Sequence, residues 1–111
     1  MGGPWSPKQI DIARRVKFGA VLDHLGAYYK LDKSYAALDP ARHSIRVHVN
    51  YACRDFRFIL TDEKWLNELF PPGHQGRGGG GAIDFVQHLT GLGFVPAVKV
   101  CLDAAESGEQ Q

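Results

Sequence analysis

The chain has 111 residues, enough for one domain with a modest apolar core. Its 44% apolar content, with two Trp, four Tyr and six Phe, excludes an intrinsically disordered chain. Thirteen Lys and Arg against twelve Asp and Glu leave a formal net charge of +1, so a broadly basic surface is excluded and any nucleic-acid contact must come from a local patch.

Residues 1–5 read as a flexible start, followed by a single domain over 6–106 and a frayed polar tail over 107–111. Ser6-Pro7-Lys8-Gln9 is a helix entrance: the serine caps an orphan amide, proline suits the first turn, and Gln9 completes a capping box. Ile10, Ala13 and Val16, then Phe18, Val21, Leu22 and Leu25, recur at helical spacing. The reading is one bent helix or two short ones over Ser6–Leu25, with Gly19 as the bend and Gly26 as the stop. Tyr28, Tyr29, Leu31 and Tyr35 suggest an extended segment with a turn at Asp32-Lys33-Ser34, and Asp39-Pro40 marks a further turn or short helix start.

From Ser44 the period becomes two. Ile45, Val47, Val49 and Tyr51 share one face, and Arg46, His48 and Asn50 share the other. Phe56, Phe58 and Leu60 repeat the apolar series with Asp55, Arg57 and Ile59 opposite, so an antiparallel hairpin joined through Ala52–Asp55 is expected, its apolar side covering the helices. Trp65, Leu66, Leu69 and Phe70 predict a short helix ending before Pro71-Pro72. Pro71 to Gly81 is a mobile loop by composition, with Ala82–Leu89 a helix stopped by Gly91. Phe94-Val95-Pro96 opens the last helix, whose buried stripe is Ala97, Val98, Cys101 and Leu102. The fold class expected is α+β: a small antiparallel sheet or hairpin packed against N- and C-terminal helices.

The segment from Gly78 to Leu89, Gly-Gly-Gly-Gly-Ala-Ile-Asp-Phe-Val-Gln-His-Leu, continues through Gly91-Leu92-Gly93-Phe94 to Ala97-Val98. This order and spacing resembles the end of the N-terminal zinc-ribbon domain of DnaG-type bacterial DNA primases. There a Gly-Gly-x-Ala-Ile-Asp-Phe-Val stretch opens one helix, and a Gly-Leu-x-Phe-x-x-Ala-Val segment opens the next. The upstream order of helix, hairpin and Trp65 is compatible. The resemblance implies a zinc-ribbon-like template-binding module in replication, priming or a mobile element.

The family's zinc is held by a Cys-x-x-His pair and a Cys-x-x-Cys pair, and neither is present here. His43, His48 and Cys53 are five apart, so neighbours in that series point to opposite faces, while His74 and Cys101 have no partner at ligand spacing. No metal or other cofactor is expected, and Phe56, Phe58, Trp65, Phe70, Phe85 and Phe94 are the residues expected to supply the core instead. Two well-separated cysteines give no disulfide framework, and both are read as reduced thiols in a cytoplasmic protein without signal peptide or membrane span.

No nucleophile elbow, zinc-protease motif or nucleotide-binding lysine loop occurs, so the chain is expected not to be an enzyme. Arg46, His48 and Arg57 on one strand face, extended by Arg77, are the candidate nucleic-acid contacts, because cations beside aromatic rings form stacking platforms for single strands. Gly78, Gly79, Gly80 and Gly81, ahead of a helix, are a candidate phosphate loop. His24 and His88 lie on helices and are expected to be packing or surface residues. The expected function is non-catalytic binding of single-stranded nucleic acid, most simply DNA. The alternative is a protein-interaction module docking on a primase, helicase or relaxase of replication or conjugation, which the near-neutral charge favours.

Overall fold

The computed structural model describes residues 5–35, 43–71, 73, 74 and 76–109; the expectations for residues 1–4 and for Asp39-Pro40 lie outside these. The fold is α+β, with four helices and five antiparallel strands in the order α1 (Pro7–Arg14), α2 (Phe18–Leu25), β1 (Tyr28–Leu31), β2 (Ile45–Tyr51), β3 (Arg54–Thr61), β4 (Lys64–Asn67), β5 (Gly78–Gly80), α3 (Gly81–Thr90) and α4 (Phe94–Glu109). By its internal contacts the chain divides into two compact units. One holds the four helices and the other, Ala27–Gly80, holds the sheet. No single helix among the described residues is long and apolar enough to cross a membrane.

In the helical unit, the capping box closes as its sequence requires: Ser6 accepts from the Gln9 amide at 3.2 Å and the Gln9 side chain accepts from the Ser6 amide at 2.8 Å. The break between the first two helices falls at Arg15–Lys17, not at Gly19, which lies inside α2. Lys17 is the extended residue that starts α2, so the chain turns where its backbone leaves the helical region and not at the most flexible residue. Gly26, left-handed at φ 70°, ends α2 as expected.

Helix α4 contacts all three other helices. Its buried residues Ala97, Val98, Cys101 and Ala104 recur at helical spacing, with Ala104 taking the place expected for Leu102. Phe85 is fully buried, its ring 4.6 Å from that of Phe18. Phe94, expected in the core, is 44% exposed at the first turn of α4. Trp5 donates its indole N–H to the Val95 carbonyl at 3.0 Å, and α4 runs to Glu109. Burial pushes the Cys101 thiol up to about 12, which keeps it protonated as a small core residue, whereas Cys53 is exposed.

Gly81 begins α3 at φ 82°, and a Cβ there would stand 2.7 Å from Arg14 Cγ, so only glycine fits between strand and helix at this point.

In the sheet unit, strand order equals chain order, β1-β2-β3-β4-β5, so every connection is between neighbours. The β2–β3 hairpin is two residues tighter than expected: Tyr51 pairs with Arg54 across Ala52-Cys53, both with positive φ (51° and 63°). That turn geometry matches the twist of the strands but is chosen without the usual Gly or Asn, so composition did not reveal it. The next turn, Asp62-Glu63, brings Thr61 opposite Lys64.

Two segments correct the sequence reading. Lys64–Asn67 is strand β4 and not part of a helix: Trp65 and Asn67 are buried on alternate positions, opposite Leu60 and Phe58 of β3. The apolar residues at Leu66, Leu69 and Phe70 imitate helical spacing, but pairing with β3 overrides it. Gly78–Gly80, expected as loop, is edge strand β5 paired with Lys64–Leu66. Any side chain at Gly78 would strike the Trp65 carbonyl at 2.8 Å, which explains a glycine in this strand.

Candidate nucleic-acid interface

The period of two holds through the sheet. Val47, Val49, Phe56, Phe58, Trp65 and Asn67 are buried on one face, and Phe58 stacks on Phe56 (ring centroids 5.5 Å) and meets Trp65 edge-on at 5.9 Å. Arg46, His48 and Asn50 of β2 therefore project from the other face, as expected. His48 stands directly opposite Arg57, and Arg46 two residues along the same strand face.

These cations are not bare. Arg46 makes a two-pronged contact with Glu68, Nε to Oε1 at 2.8 Å and Nη2 to Oε2 at 3.3 Å. Its Nη1 reaches Asp32 Oδ2 at 3.5 Å, and its guanidinium lies 4.6 Å from the Tyr35 ring centroid. Glu68 also attracts Arg57, whose Nε stands 3.2 Å from Oε1 as an ion pair without hydrogen-bond alignment. His48 Nε2 lies 3.0 Å from Asp32 Oδ2. The sequence reading missed both carboxylates.

Asp32 is fixed by its own turn. Its Oδ1 accepts from the Ser34 amide at 2.9 Å and from the Ser34 hydroxyl at 2.5 Å. Those bonds, with His48 and Arg46 adding to them, hold the Asp32 carboxyl well below the usual carboxylate range. The hydrogen bond from Arg46 to Glu68, aided by their opposite charges and by Asp32, raises the Arg46 guanidinium further above its ordinary value. Arg46 is thus a structural clamp joining the turn after β1 to the residue after β4. Glu68 is placed by the end of β4, where buried Asn67 accepts from the Leu69 amide at 3.1 Å and the Glu68 amide donates to the Arg57 carbonyl at 2.7 Å.

Further exposed residues on this face come from β1. Tyr28 pairs with Asn50 and Lys30 with His48, so both share the face of Arg57. Tyr28 is 70% exposed, the most exposed of the large apolar residues described. It lines a shallow groove of about 390 Å³ with His48, Asn50, Asp55, Arg57 and Leu69. Lys30 and His48 line an adjoining hollow with Asp32 and Lys33. Tyr28 was read as extended without a face, because nothing local says how β1 registers against β2.

The remaining sequence candidates lie elsewhere. Arg77 staples the segment after β4: its Nε donates to the Phe70 carbonyl at 2.9 Å, and its own carbonyl accepts from the Asn67 amide at 2.6 Å. The phosphate-loop candidates Gly78, Gly79, Gly80 and Gly81 lie at the junction of β5 and α3. The first three form an extended strand paired to β4, and Gly81 is buried against Arg14. Among the described residues no three His, Cys, Asp or Glu side chains group as metal ligands do.

No protein-family model matches the chain, and no curated protein or solved structure matches it either.

Proposed function

We propose that the protein is a non-catalytic binding module that takes single-stranded nucleic acid on the face of its sheet carrying Tyr28, Lys30, His48 and Arg57. The observation that carries this reading is Tyr28: a ring 70% exposed on the same face as three nitrogen side chains, beside a groove of nucleotide size. A base stacks on any ring of this kind without regard to sequence, and Lys30, His48 and Arg57 lie two residues along the strands to meet the backbone. Asp32 and Glu68 offset much of the local positive charge, so binding is weak and its salt slope shallow. The resemblance of residues 78–98 to the primase zinc-ribbon domain supports a setting in replication, priming or a mobile element.

The test is a nuclear magnetic resonance titration of the labelled protein with an oligothymidine single strand at low salt. Amide and side-chain shifts are expected at Tyr28, Lys30, His48 and Arg57. No shifts, or shifts confined to the helices, would refute the reading.

A second reading has its own support. The cations are internally paired, and on the opposite face Tyr29, Leu31 and Ile45 remain 39%, 47% and 43% exposed near the β1 edge. A protein-interaction module would use that apolar edge. It is favoured if the titration is silent.

A further inference from the structure

The groove beside Tyr28 is divided by chemistry along the strands. One set of paired positions, Tyr28, Asn50 and Asp55, offers an aromatic ring, an amide and a carboxylate. The next set, Lys30, His48 and Arg57, offers three nitrogen side chains. Same-face neighbours on a strand stand roughly 7 Å apart, about the distance from the middle of a nucleobase to its phosphate. The first set therefore meets a base where the second meets its phosphate.

The first set is also oriented. Asn50 Nδ2 donates to Asp55 Oδ1 at 2.8 Å. That bond uses one of the two Asn50 amide hydrogens and fixes how the amide lies beside Asp55. The Asn50 carbonyl oxygen and the second Asp55 oxygen remain as acceptors, with a negative charge between them. A base edge suited to this pair must present two adjacent donors. Among the common bases only guanine does so, through N1–H and the N2 amine on its Watson–Crick edge. Cytosine, adenine and thymine each set an acceptor beside their one donor group, and that acceptor would face a carboxylate. The carboxylate likewise repels a phosphate from this half of the groove and fixes which way the nucleotide lies.

Resting on the reading of this face as a single-strand site, we propose that the groove selects guanine, with Tyr28 stacking on the base, Asp55 and Asn50 accepting from its N1–H and N2 amine, and Lys30, His48 and Arg57 meeting the adjoining phosphate. Asp55 is then a specificity residue and not a source of affinity.

The experiment is competition fluorescence anisotropy at about 50 mM salt, where phosphate contacts remain strong. The competitors are short oligothymidine strands with one central position changed to guanine, hypoxanthine, adenine or cytosine. The guanine strand should bind at least roughly fivefold more tightly than the others, the low end for a two-point base contact. The hypoxanthine strand, which lacks only the N2 amine, should lose most of that gain. Asp55→Asn should bring the guanine strand level with the rest while binding of the unaltered oligothymidine strand stays the same or rises. Asn50 and Asp55 are both exposed, so the folded state should survive this change, which circular dichroism checks. Equal affinity for guanine and hypoxanthine strands, or a guanine preference unchanged in Asp55→Asn, overturns the specificity and leaves the single-strand reading standing. No binding of any strand overturns both.

Discussion

The helical unit and the sheet unit solve different problems with similar amounts of chain. Among the helices, the described buried side chains are apolar and Phe85, Val86, Val98 and Cys101 are wholly enclosed. In the sheet, one face has a buried row of Val, Phe and Trp, while the other carries the linked charges of Asp32, Arg46, His48, Arg57 and Glu68. The first arrangement is stabilised by area removed from water, which is large and indifferent to salt. The second holds half-buried ion pairs at a water-facing surface, which salt screens and on which apolar burial does not depend. Stability and recognition are therefore separable here: substitutions in the helices should affect folding, and substitutions on the polar sheet face should affect binding.

Phe85→Ala should give the largest effect. It empties a fully buried site against Phe18 and should cost about 3–5 kcal/mol, read as a lower denaturant midpoint. Tyr28→Ala, with a ring 70% exposed, should leave that midpoint nearly unchanged. A loss at Tyr28 comparable with that at Phe85 would erase the distinction between the two regions. Gly81→Ala should cost more than about 1 kcal/mol, because alanine tolerates φ 82° poorly and its methyl would press on Arg14. Gly19→Ala, with open space around it inside α2, should instead be neutral or stabilising.

The smallest effect is that of acid. The Asp32 carboxyl is held well below its ordinary value in the folded chain, so it contributes stability that is fully present above the unfolded-state value near pH 4. That contribution fades as pH falls through the lower folded-state value. The gap in denaturant midpoint between the parent chain and Asp32→Asn should accordingly be constant at neutral pH and close on strong acidification. A gap that widens with acid would show that Asp32 is not the charged partner of Arg46 and His48.

Legibility in the sequence followed how local each determinant is. The Ser6–Gln9 cap, the stop at Gly26 and the stripe of α4 depend on residues a turn or two apart, and the sequence shows them. The two faces of the β2–β3 hairpin were equally plain from alternation. Strand β4 was not, because Trp65 and Leu69 also suit a helix and only pairing with β3 decides between them. The glycines of β5 are strand residues through pairing with Lys64–Leu66, and at Gly78 the Trp65 carbonyl leaves no room for a side chain. The site was half legible for the same reason. Arg46, His48 and Arg57 were placed on one face by parity, whereas Asp32, Glu68 and Tyr28 reach that face through register and turns that no local pattern encodes.

The central claim, that this polar sheet face binds single strands, is tested most directly by fluorescence anisotropy with a labelled single-stranded oligonucleotide over a salt series. The account predicts that the parent chain binds at low salt and that Tyr28→Ala loses about 1–3 kcal/mol of that affinity with its salt slope unchanged. Glu68→Gln, which frees Arg46 and Arg57, should bind more tightly with a slope steeper by up to about 0.7 for each phosphate newly neutralised. Absence of binding at the lowest salt, or equal binding by all three proteins, would contradict it.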